Sequence, residues 1–333
     1  MKRLLVSGGA GFIGHHFIDY VLRVTDWEVI SLDRLDFSGN LNRLSDVLKD
    51  DPNRTRVKIV FHDLRAEVNE HTKSLIGDVD YFVHMAAASH VDRSIEDPMS
   101  FVQDNVVGTC NALNLARKLD LERFIYFSTD EVFGPAPVGV DYEEYDRYNS
   151  TNPYSATKAG GEELAVAFRN TYDLPIVITH TMNVFGERQH PEKFIPSCIK
   201  KIRDGETVTI HSDKTKTVPG SRHYIHAADV AEAVMFILGL DDSSLKTVCP
   251  KYNIVGKQEI NNLELAEIIA AAQEKTLSYE MVDFHSSRPG HDLRYSLSGE
   301  KMKSLGWEPK IDLTDRIKQV VDWTLARPDW MMK

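Results

Sequence analysis

The feature that most constrains this chain is a glycine-rich turn directly after its first apolar segment. Gly8, Gly11 and Gly14 follow the stretch "RLLVS" and open the amphipathic segment "GFIGHHFIDYVLRV". This spacing permits a tight strand-to-helix turn, in which a pyrophosphate can lie against N–H groups at the positive end of the helix. The alternative is an ordinary turn without a ligand. About 20 residues on, Asp33 ends the second apolar segment, where a carboxylate can accept hydrogen bonds from an adenosine ribose. Together these features predict a dinucleotide site.

The residues around that carboxylate bear on which dinucleotide would bind. An acid at Asp33 favours NAD over NADP, because it would repel a 2′-phosphate. Arg34 follows directly and could weaken this preference. Asp63 ends the third apolar segment, at a position suited to the adenine amino group. We therefore expect NAD as the cofactor.

The first 182 residues alternate strand-like and helix-like segments. This alternation is typical of a Rossmann-like α/β fold with a doubly wound parallel sheet. After residue 182 the pattern loosens and predicts a smaller, mixed α/β unit. We expect residues 1–182 plus about 223–250 to form the NAD-binding unit, and about 183–222 plus 251–333 to form the second unit. The strands are predicted in "RLLVSG", "WEVISLD", "RVKIVFHD", "DYFVHMA", "RFIYFSTD" and "PIVITHT".

Composition excludes several classes of protein. The net charge of -11 argues against a nucleic-acid binder, which usually has a basic face. Cys110, Cys198 and Cys249 are odd in number and far apart, so they indicate neither a disulfide framework nor a metal site, and they favour the reducing cytoplasm. The apolar run at the start is cut by glycines and is too short for a signal peptide. No segment approaches the roughly 18 apolar residues of a membrane span, so no membrane partner is expected.

Two further motifs carry candidate chemistry. "YSATK" places Tyr154 and Lys158 on one helix face, where an ammonium near a phenol would lower the tyrosine pKa and make it a better base. The alternative is a surface pair on a helix. "FSTDEVFG" places Asp130 and Glu131 at the end of a buried strand, where two carboxylates are costly without partners. Successive strand residues point to opposite faces, so both acids can serve one substrate only if the backbone bends at 129–131.

These motifs together resemble those of the nucleoside-diphosphate-glucose 4,6-dehydratases, best known for dTDP-glucose, within the extended short-chain dehydrogenase/reductase superfamily. The resemblance spans nearly the whole chain. Its motifs are "STDEVFG", "DRLDFSGNLNRL", "HMAAASHVDRSI", "FVQDNVVGT", "NPYSATKAGGEEL", "HPEKFIP", "RPGHDLRY" and "LGWEPKIDLTDRIKQVVDWTLARPDW".

The resemblance implies a role for each residue of the catalytic set. Tyr154, assisted by Lys158, would take the proton from the sugar 4-hydroxyl as NAD takes the carbon-4 hydride, and Thr129 would hydrogen-bond the 4-oxygen. The resulting 4-ketone acidifies carbon 5, so that Glu131 could remove its proton, while Asp130 could protonate the departing 6-hydroxyl. The hydride would then return to carbon 6. An adjacent like charge pushes the two carboxyl pKa values apart, as these opposite roles require.

The resemblance also implies binding residues in both units, with the sugar nucleotide held between them. Surface arginines remain the alternative for Arg222 and Arg288, and packing residues for His291 and Tyr295. The cofactor-binding residues are expected to be Gly8, Gly11, Phe12, Ile13, Gly14, Asp33, Arg34, Leu35, Ser38, Gly39, Asp63, Leu64, Met85, Ala86, Ala87, Ser89, Asp104, Ser128, Tyr154, Lys158 and Val184. The substrate-binding residues are expected to be Ser89, Thr129, Asn183, Lys193, Phe194, Arg222, Asn253, Arg288, His291 and Tyr295.

The chain departs from the family pattern at two places near these sites. Ala88 stands where the family usually has Glu, and Glu187-Arg188 stand where it usually has Pro-Tyr. These departures leave the base of the nucleotide open among thymine, uracil and cytosine. Helices around 100–119 and 154–171 resemble those of the family's dimer, so a homodimer is expected. Two alternatives remain: a 4-epimerase or decarboxylase of the same superfamily, and a non-catalytic NAD-binding sensor or scaffold.

Overall fold

The computed structural model describes residues 1–36, 38–49, 51–241, 248–283 and 293–332. The described strands are β1 (Arg3–Ser7), β2 (Glu28–Asp33), β3 (Val57–Phe61), β4 (Tyr81–His84), β5 (Arg123–Thr129), β6 (Ile176–Thr181), β7 (Asn183–Phe185), β8 (Val208–Ser212), β9 (Ser221–His226), β10 (Lys251–Ile254), β11 (Glu259–Asn261) and β12 (Tyr279–Asp283).

Helices connect most of these strands. The described α-helices are α1 (Phe12–Val24), α2 (Leu41–Leu48), α3 (Glu70–Ile76), α4 (Val91–Glu96), α5 (Pro98–Phe101), α6 (Gly108–Ala116), α7 (Pro153–Tyr172), α8 (Phe194–Asp204), α9 (Ala227–Leu238), α10 (Asn262–Ala272), α11 (Glu300–Ser304) and α12 (Leu313–Ala326). A π-helical segment, Val102–Val107, joins α5 to α6, and 3-10 turns occupy Arg54–Arg56, Asp130–Phe133 and Pro328–Met331.

Seven parallel strands form the larger sheet, in the order β10-β6-β5-β4-β1-β2-β3. All six strands predicted from the sequence are present, and the predicted doubly wound α/β fold is confirmed. The chain reverses direction across the sheet between β1 and β4, and ligands of such sheets bind at the carboxyl ends of the strands beside this point. Strand β10 was not predicted. It lies at the edge, paired with β6.

Apolar cores cover both faces of this sheet because side chains alternate along each strand. On one face, Leu4 and Val6 of β1 share a core with Phe17 of α1 and Val234 of α9. On the other face, Leu5 of β1 shares a core with residues of α6 and α7. Helices α1 and α9 pack directly against each other. The glycine turn before α1 is thus held between two buried layers.

The rest of the chain forms a smaller unit with its own core. A three-stranded sheet has the order β11-β9-β7, and β8 pairs in parallel with β12. Helices α8, α10 and α12 contribute apolar residues to one core beside these strands. The predicted boundaries of the two units remain a prediction; the boundary at about residue 250 lies just before β10, which belongs to the larger sheet.

Asn261 caps α10, since its side chain accepts hydrogen bonds from the N–H groups of Leu263 and Glu264. Cys110, Cys198 and Cys249 are free thiols. Within the described ranges, none of the helices combines the length and apolar character needed to cross a bilayer.

Candidate active site

Two cavities lie at the carboxyl ends of the strands in the larger sheet. The larger has a volume of about 470 Å³ and extends from the glycine turn to residues of the smaller unit. The smaller, of about 100 Å³, lies beside the ends of β2 and β3. The residues that line both cavities are Gly8, Gly11, Ser38, Met85 and Ala87.

The glycine turn allows a close approach to the backbone. Gly8 has φ +76°, a left-handed conformation that favours glycine, and its N–H donates to the Leu32 carbonyl at 2.8 Å. A Cβ atom at Gly8 would lie 2.8 Å from the Ala86 nitrogen, and one at Gly14 would lie 2.2 Å from the Gly8 carbonyl oxygen. Side chains are therefore excluded at these positions. The bare backbone at the start of α1 fits the pyrophosphate of a dinucleotide.

Asp33 is fixed at the edge of the smaller cavity. Its carboxylate accepts hydrogen bonds from the N–H groups of Ala10 at 3.1 Å and Leu35 at 2.8 Å. Burial raises the pKa of this carboxyl, and the two backbone hydrogen bonds oppose the rise. A Cβ atom at Gly39 would lie 2.4 Å from an Asp33 oxygen. The glycine therefore leaves room for the carboxylate.

Ion pairs of Arg34 and Arg65 with neighbouring carboxylates form another part of this cavity wall. Arg34 makes a two-pronged contact with Asp104, at 2.5 and 2.7 Å, and its Nε donates to Asp36 at 2.6 Å. The Arg65 Nε donates to Asp63 at 2.9 Å. Because its guanidinium is bound by carboxylates, Arg34 is poorly placed to attract a 2′-phosphate.

The cavities collect all but one of the residues predicted to bind a cofactor. Leu35 is the exception: its side chain packs on the core beside α1, and only its backbone N–H bonds Asp33. Its backbone has a positive φ of +57°. The predicted cofactor residues that do line a cavity are Gly8, Gly11, Phe12, Ile13, Gly14, Asp33, Arg34, Ser38, Gly39, Asp63, Leu64, Met85, Ala86, Ala87, Ser89, Asp104, Ser128, Tyr154, Lys158 and Val184.

The predicted bend after β5 is present. The strand ends at Thr129, and the chain turns at once into the 3-10 turn Asp130–Phe133, with the Thr129 hydroxyl accepting from the Glu131 N–H at 3.4 Å. As a result, Thr129, Asp130 and Glu131 all line the larger cavity with Tyr154. Neither carboxylate lies behind the sheet, so the geometry required for a shared substrate is met.

The two acids have different surroundings. Asp130 is 5% exposed, one oxygen accepts from the Thr129 hydroxyl at 3.0 Å, and the other has no hydrogen-bond partner among the described residues. Burial, followed by the charge of Glu131, raises the pKa of Asp130 to about 7. Glu131 is less buried and accepts from the Asn152 side-chain amide at 3.1 Å. Asp130 therefore keeps its proton to a much higher pH than an exposed aspartate does.

The start of α7 positions Asn152 and Tyr154. Asn152 and Ser155 form a reciprocal capping box, and Pro153 occupies the first helical position, as its fixed φ favours. Tyr154 packs against Val91 and Phe101. This helix start places the phenol beside the acid pair.

Tyr154 and Lys158 differ from the sequence expectation in their charge states. Burial, followed by the charge of Glu131, raises the pKa of Tyr154 above its ordinary value, although a hydrogen bond with Thr129 opposes this. The Lys158 ammonium donates to the Phe127 carbonyl at 2.6 Å and lies 4.5 Å from the centre of the Tyr126 ring. Burial lowers the pKa of Lys158 to about 7. The expectation of a lowered tyrosine pKa is therefore wrong for the protein alone, because burial and the two neighbouring carboxylates raise that pKa.

Most of the residues predicted to bind substrate line the larger cavity. The Arg222 guanidinium lies 4.6 Å from the centre of the Tyr295 ring and donates to the carbonyls of Ser221 and Leu293. Arg288 and His291 lie outside the described residues. The predicted substrate residues that line the cavity are Ser89, Thr129, Asn183, Lys193, Phe194, Arg222 and Tyr295.

Asn253 differs from its predicted role as a substrate-binding residue. It is fully buried on β10 and does not line the cavity. Its amide nitrogen donates to the carbonyls of Tyr142 and Ser298, both at 3.1 Å, and its amide oxygen lies 3.0 Å from a His180 ring nitrogen. These contacts use the polar atoms of its side chain within the protein. The prediction that it contacts substrate is therefore wrong.

The two departures from the family pattern lie beside the cavity. Ala88 packs on the apolar group of Val91, Phe101 and Tyr154, so the absent carboxylate leaves the tyrosine in less polar surroundings. The Glu187 carboxylate lies 3.2 Å from a His226 ring nitrogen, and the Glu187 carbonyl contacts His16 at 3.0 Å. Burial raises the pKa of Glu187, but the hydrogen bond with His226 and the charge of His226 outweigh burial and lower this pKa to about 2.

The sequence analysis missed several cavity residues. Their side chains reach the cavity through tertiary packing and carry no local motif, although Asn262 starts α10 and His190 lies in the "HPEK" segment. The described residues contain no group of three or more His, Cys, Asp or Glu that could hold a metal ion. The missed residues that line the larger cavity include Arg43, His90, Gln189, His190, His211, Tyr224 and Asn262.

Comparison with known proteins identifies the family. The family model described as GDP-mannose 4,6 dehydratase matches residues 5–320. The chain belongs to this family. The low-salt glycan biosynthesis protein Agl12 of Haloferax volcanii is 40% identical over 97% of this chain and 98% of its own length. A dTDP-glucose 4,6-dehydratase of Streptomyces niveus is 35% identical over 98% of this chain and 94% of its own.

A solved relative has the same fold. The dTDP-glucose 4,6-dehydratase DesIV of Streptomyces venezuelae, crystallised with NAD, is 35% identical, covers 99% of this chain and 98% of its own, and superposes with a TM-score of 0.86. The resemblance to this dehydratase family found in the motifs is thereby confirmed, as is a fold with a second, smaller unit.

Proposed function

We propose that the protein is an NAD-dependent nucleoside-diphosphate-glucose 4,6-dehydratase. The reaction would yield a nucleoside-diphosphate-4-keto-6-deoxyglucose by oxidation at carbon 4, loss of water across carbons 5 and 6, and reduction at carbon 6. The observation that carries the proposal is that Thr129, Asp130, Glu131, Tyr154 and Lys158 line one cavity next to the glycine turn. The dehydratase relatives at 35% identity support it.

The cofactor assignment rests on this chain's own residues. The glycine turn fits a pyrophosphate, Asp33 stands at the ribose position, and Arg34 is bound by Asp104 and Asp36. This arrangement favours NAD over NADP. When bound, NAD supplies the acceptor for the hydride of carbon 4 and its later donor to carbon 6. Relatives of dehydratase and epimerase type have been solved with NAD.

The first step requires a base for the sugar 4-hydroxyl. Tyr154 is the candidate, with the Thr129 hydroxyl hydrogen-bonding the same oxygen. Because burial raises the tyrosine pKa, the phenolate is scarce in the protein alone, and any nearby positive charge will favour it. Lys158, one helical turn along α7, is the fixed cation nearest in sequence. Because the pKa of Lys158 is about 7, this favourable charge is lost as the pH rises above neutrality.

The second step requires an acid and a base at once. Glu131, held by Asn152, would remove the carbon-5 proton after the 4-ketone has acidified it. Asp130, whose pKa is about 7, would deliver a proton to the 6-hydroxyl as water leaves. This division of roles follows the difference in burial between the two acids.

We propose dTDP-glucose as the preferred substrate, with UDP- and CDP-glucose as the other candidates. Relatives named as dTDP-glucose dehydratases support thymine, whereas the relative at 40% identity is named only for glycan biosynthesis. We also propose a homodimer in the cytoplasm, formed through the helices around 100–119 and 154–171. Free thiols are compatible with that compartment. Sedimentation measurements would test the dimer.

A product assay tests the function. Purified protein with NAD is incubated separately with dTDP-, UDP- and CDP-glucose, and the absorbance of the 4-keto-6-deoxy product in alkali is followed. We expect product from at least one substrate with the wild type and none with Glu131→Gln. Formation of an epimerised hexose instead would favour a 4-epimerase. NAD binding without turnover of any of the three would favour a non-catalytic role.

A further inference from the structure

Arg43 is a buried cation at the edge of the larger cavity. It lies on α2 beside the glycine turn, and only 5% of its surface is exposed. Its Nη1 donates to the carbonyls of Ser38 at 2.6 Å and Ala10 at 3.5 Å, and its Nε donates to the Arg188 carbonyl at 3.1 Å. All these acceptors are neutral. The guanidinium is thus held by hydrogen bonds to backbone carbonyls and not by an ion pair.

No carboxylate forms a direct ion pair with this guanidinium in the described part of the chain. None lies within 4.0 Å of the Arg43 guanidinium, and its Nη2 makes no hydrogen bond to a described residue. Asp33 acts on Arg43 through its charge, but its oxygens are hydrogen-bonded to backbone N–H groups. Buried charges in proteins are normally paired or bound to a ligand. An unpaired guanidinium facing a cavity therefore indicates a site for an anion.

The Glu187-Arg188 departure helps to orient this guanidinium. Arg188 has φ +64°, and its own side chain is anchored by Asp46, at 2.7 and 2.6 Å, and by the ring of Trp323, 4.8 Å away. The left-handed backbone and the two side-chain anchors direct the Arg188 carbonyl at the Arg43 Nε. Arg188 is thus a positioning residue for Arg43.

We propose that Arg43 binds the pyrophosphate of the dinucleotide cofactor, with Arg188 as its positioning residue. The inference rests on the dinucleotide site of the proposed function, and it adds Arg43 as a cofactor-binding residue that the family resemblance did not imply. Backbone N–H groups of the glycine turn would meet the anion from one side, and the Arg43 Nη2 from another. Guanidinium groups form short, charge-assisted hydrogen bonds to phosphate oxygens. Such a contact also suits an anionic ligand in a protein with net charge -11.

Binding measurements on the full-length protein test this assignment. Wild type and Arg43→Met are titrated with NAD and ADP-ribose by calorimetry, and with adenosine by saturation-transfer NMR. We expect the variant to bind NAD and ADP-ribose about 10- to 100-fold more weakly, as for the loss of one hydrogen bond to a charged group. Adenosine, which lacks phosphate, should bind equally well to both proteins.

Three variants complete the test. Arg23→Met removes an exposed arginine that is paired with Asp19, and should change neither affinity. Arg43→Lys keeps the positive charge but loses the planar array of guanidinium donors. It should weaken ADP-ribose binding by less than Arg43→Met does and leave adenosine binding unchanged. Arg188→Met alone should weaken ADP-ribose binding. Combined with Arg43→Met, it should cause no loss beyond that of Arg43→Met.

Two results would overturn the assignment. One is unchanged ADP-ribose affinity in Arg43→Met; the other is an equal loss for ADP-ribose and adenosine, which would indicate a structural role. If Arg43→Met fails to fold, the same two criteria are applied to Arg43→Lys. Sugar-nucleotide turnover is measured separately. If the wild type dehydrates a sugar nucleotide but the Arg43 variant binds ADP-ribose normally, only the role of Arg43 is refuted. If the variant binds ADP-ribose more weakly but the wild type turns over no sugar nucleotide, only the dehydratase activity is refuted.

Discussion

Replacement of Asp130 by asparagine should stabilise the protein in a pH-dependent way. The ordinary pKa of an aspartate side chain is 3.8, and burial together with the charge of Glu131 raises the pKa of Asp130 to about 7. The folded protein therefore retains this proton over a pH range in which the unfolded chain has released it. Stability falls with rising pH wherever the folded state binds more protons. Ionisation of Asp130 thus penalises the folded state progressively from about pH 4 to about pH 7.

The size of the effect follows from the two pKa values. One pKa unit corresponds to about 1.4 kcal/mol, so the penalty grows by about 2 to 3 kcal/mol between pH 5 and pH 8. Asparagine does not ionise and is free of this penalty. The free energy of unfolding of Asp130→Asn relative to wild type should therefore rise by that amount across this interval. Any constant offset from the different side chain cancels in the comparison.

Urea unfolding at pH 5 and pH 8, without cofactor, measures this difference. Asp213→Asn is the matched control, because hydrogen bonds from Thr215 and from backbone N–H groups lower the pKa of Asp213 to about 2. That carboxyl is ionised in both states throughout the interval, so the control should differ from wild type equally at the two pH values. A difference between Asp130→Asn and wild type that stays constant within about 0.5 kcal/mol would refute the raised pKa.

Three further predictions concern the same site. Asn152→Ala removes the cap of α7 and the hydrogen-bond donor to Glu131. We expect a free energy of unfolding in urea about 1 kcal/mol lower, and slower water elimination. Elimination at the wild-type rate would show that Glu131 does not depend on this amide. Gly14→Ala would place a methyl group 2.2 Å from the Gly8 carbonyl oxygen. Calorimetry should therefore show at least about tenfold weaker NAD binding, and a normal affinity would contradict the described turn. Tyr154→Phe should lower turnover by about 10²- to 10⁴-fold with NAD affinity unchanged, and a loss below about threefold would exclude the phenol as the base.

The sequence predicts most of the larger sheet because its strands are short, buried and rich in branched or aromatic residues. Strand β10 escaped prediction because the polar residues Lys251 and Asn253 alternate with Tyr252 and Ile254 in "KYNI", although all four are buried in the strand that pairs with β6. The bend after Thr129 was predictable from a geometric requirement alone: two adjacent acids cannot share a substrate on a regular strand.

Side-chain environments were harder to predict than side-chain identities. Leu35 and Asn253 were assigned by resemblance, but Leu35 packs on the apolar core and Asn253 belongs to a buried hydrogen-bond network. Arg43 was missed because its burial depends on a carbonyl 145 residues further along the chain. The raised pKa of Tyr154 likewise results from packing that no local motif specifies.

The position of β10 at the edge of the larger sheet has a consequence for biosynthesis. Its partner β6 ends at Thr181, yet β10 begins only at Lys251, after β7, β8 and β9 have been made. A growing chain therefore exposes the open edge of β6 until about 70 further residues have been synthesised, and open strand edges invite aggregation. A truncation before residue 251 would leave that edge permanently open. Exchange of substrate-binding segments between relatives should accordingly keep β10 with the sheet that it completes.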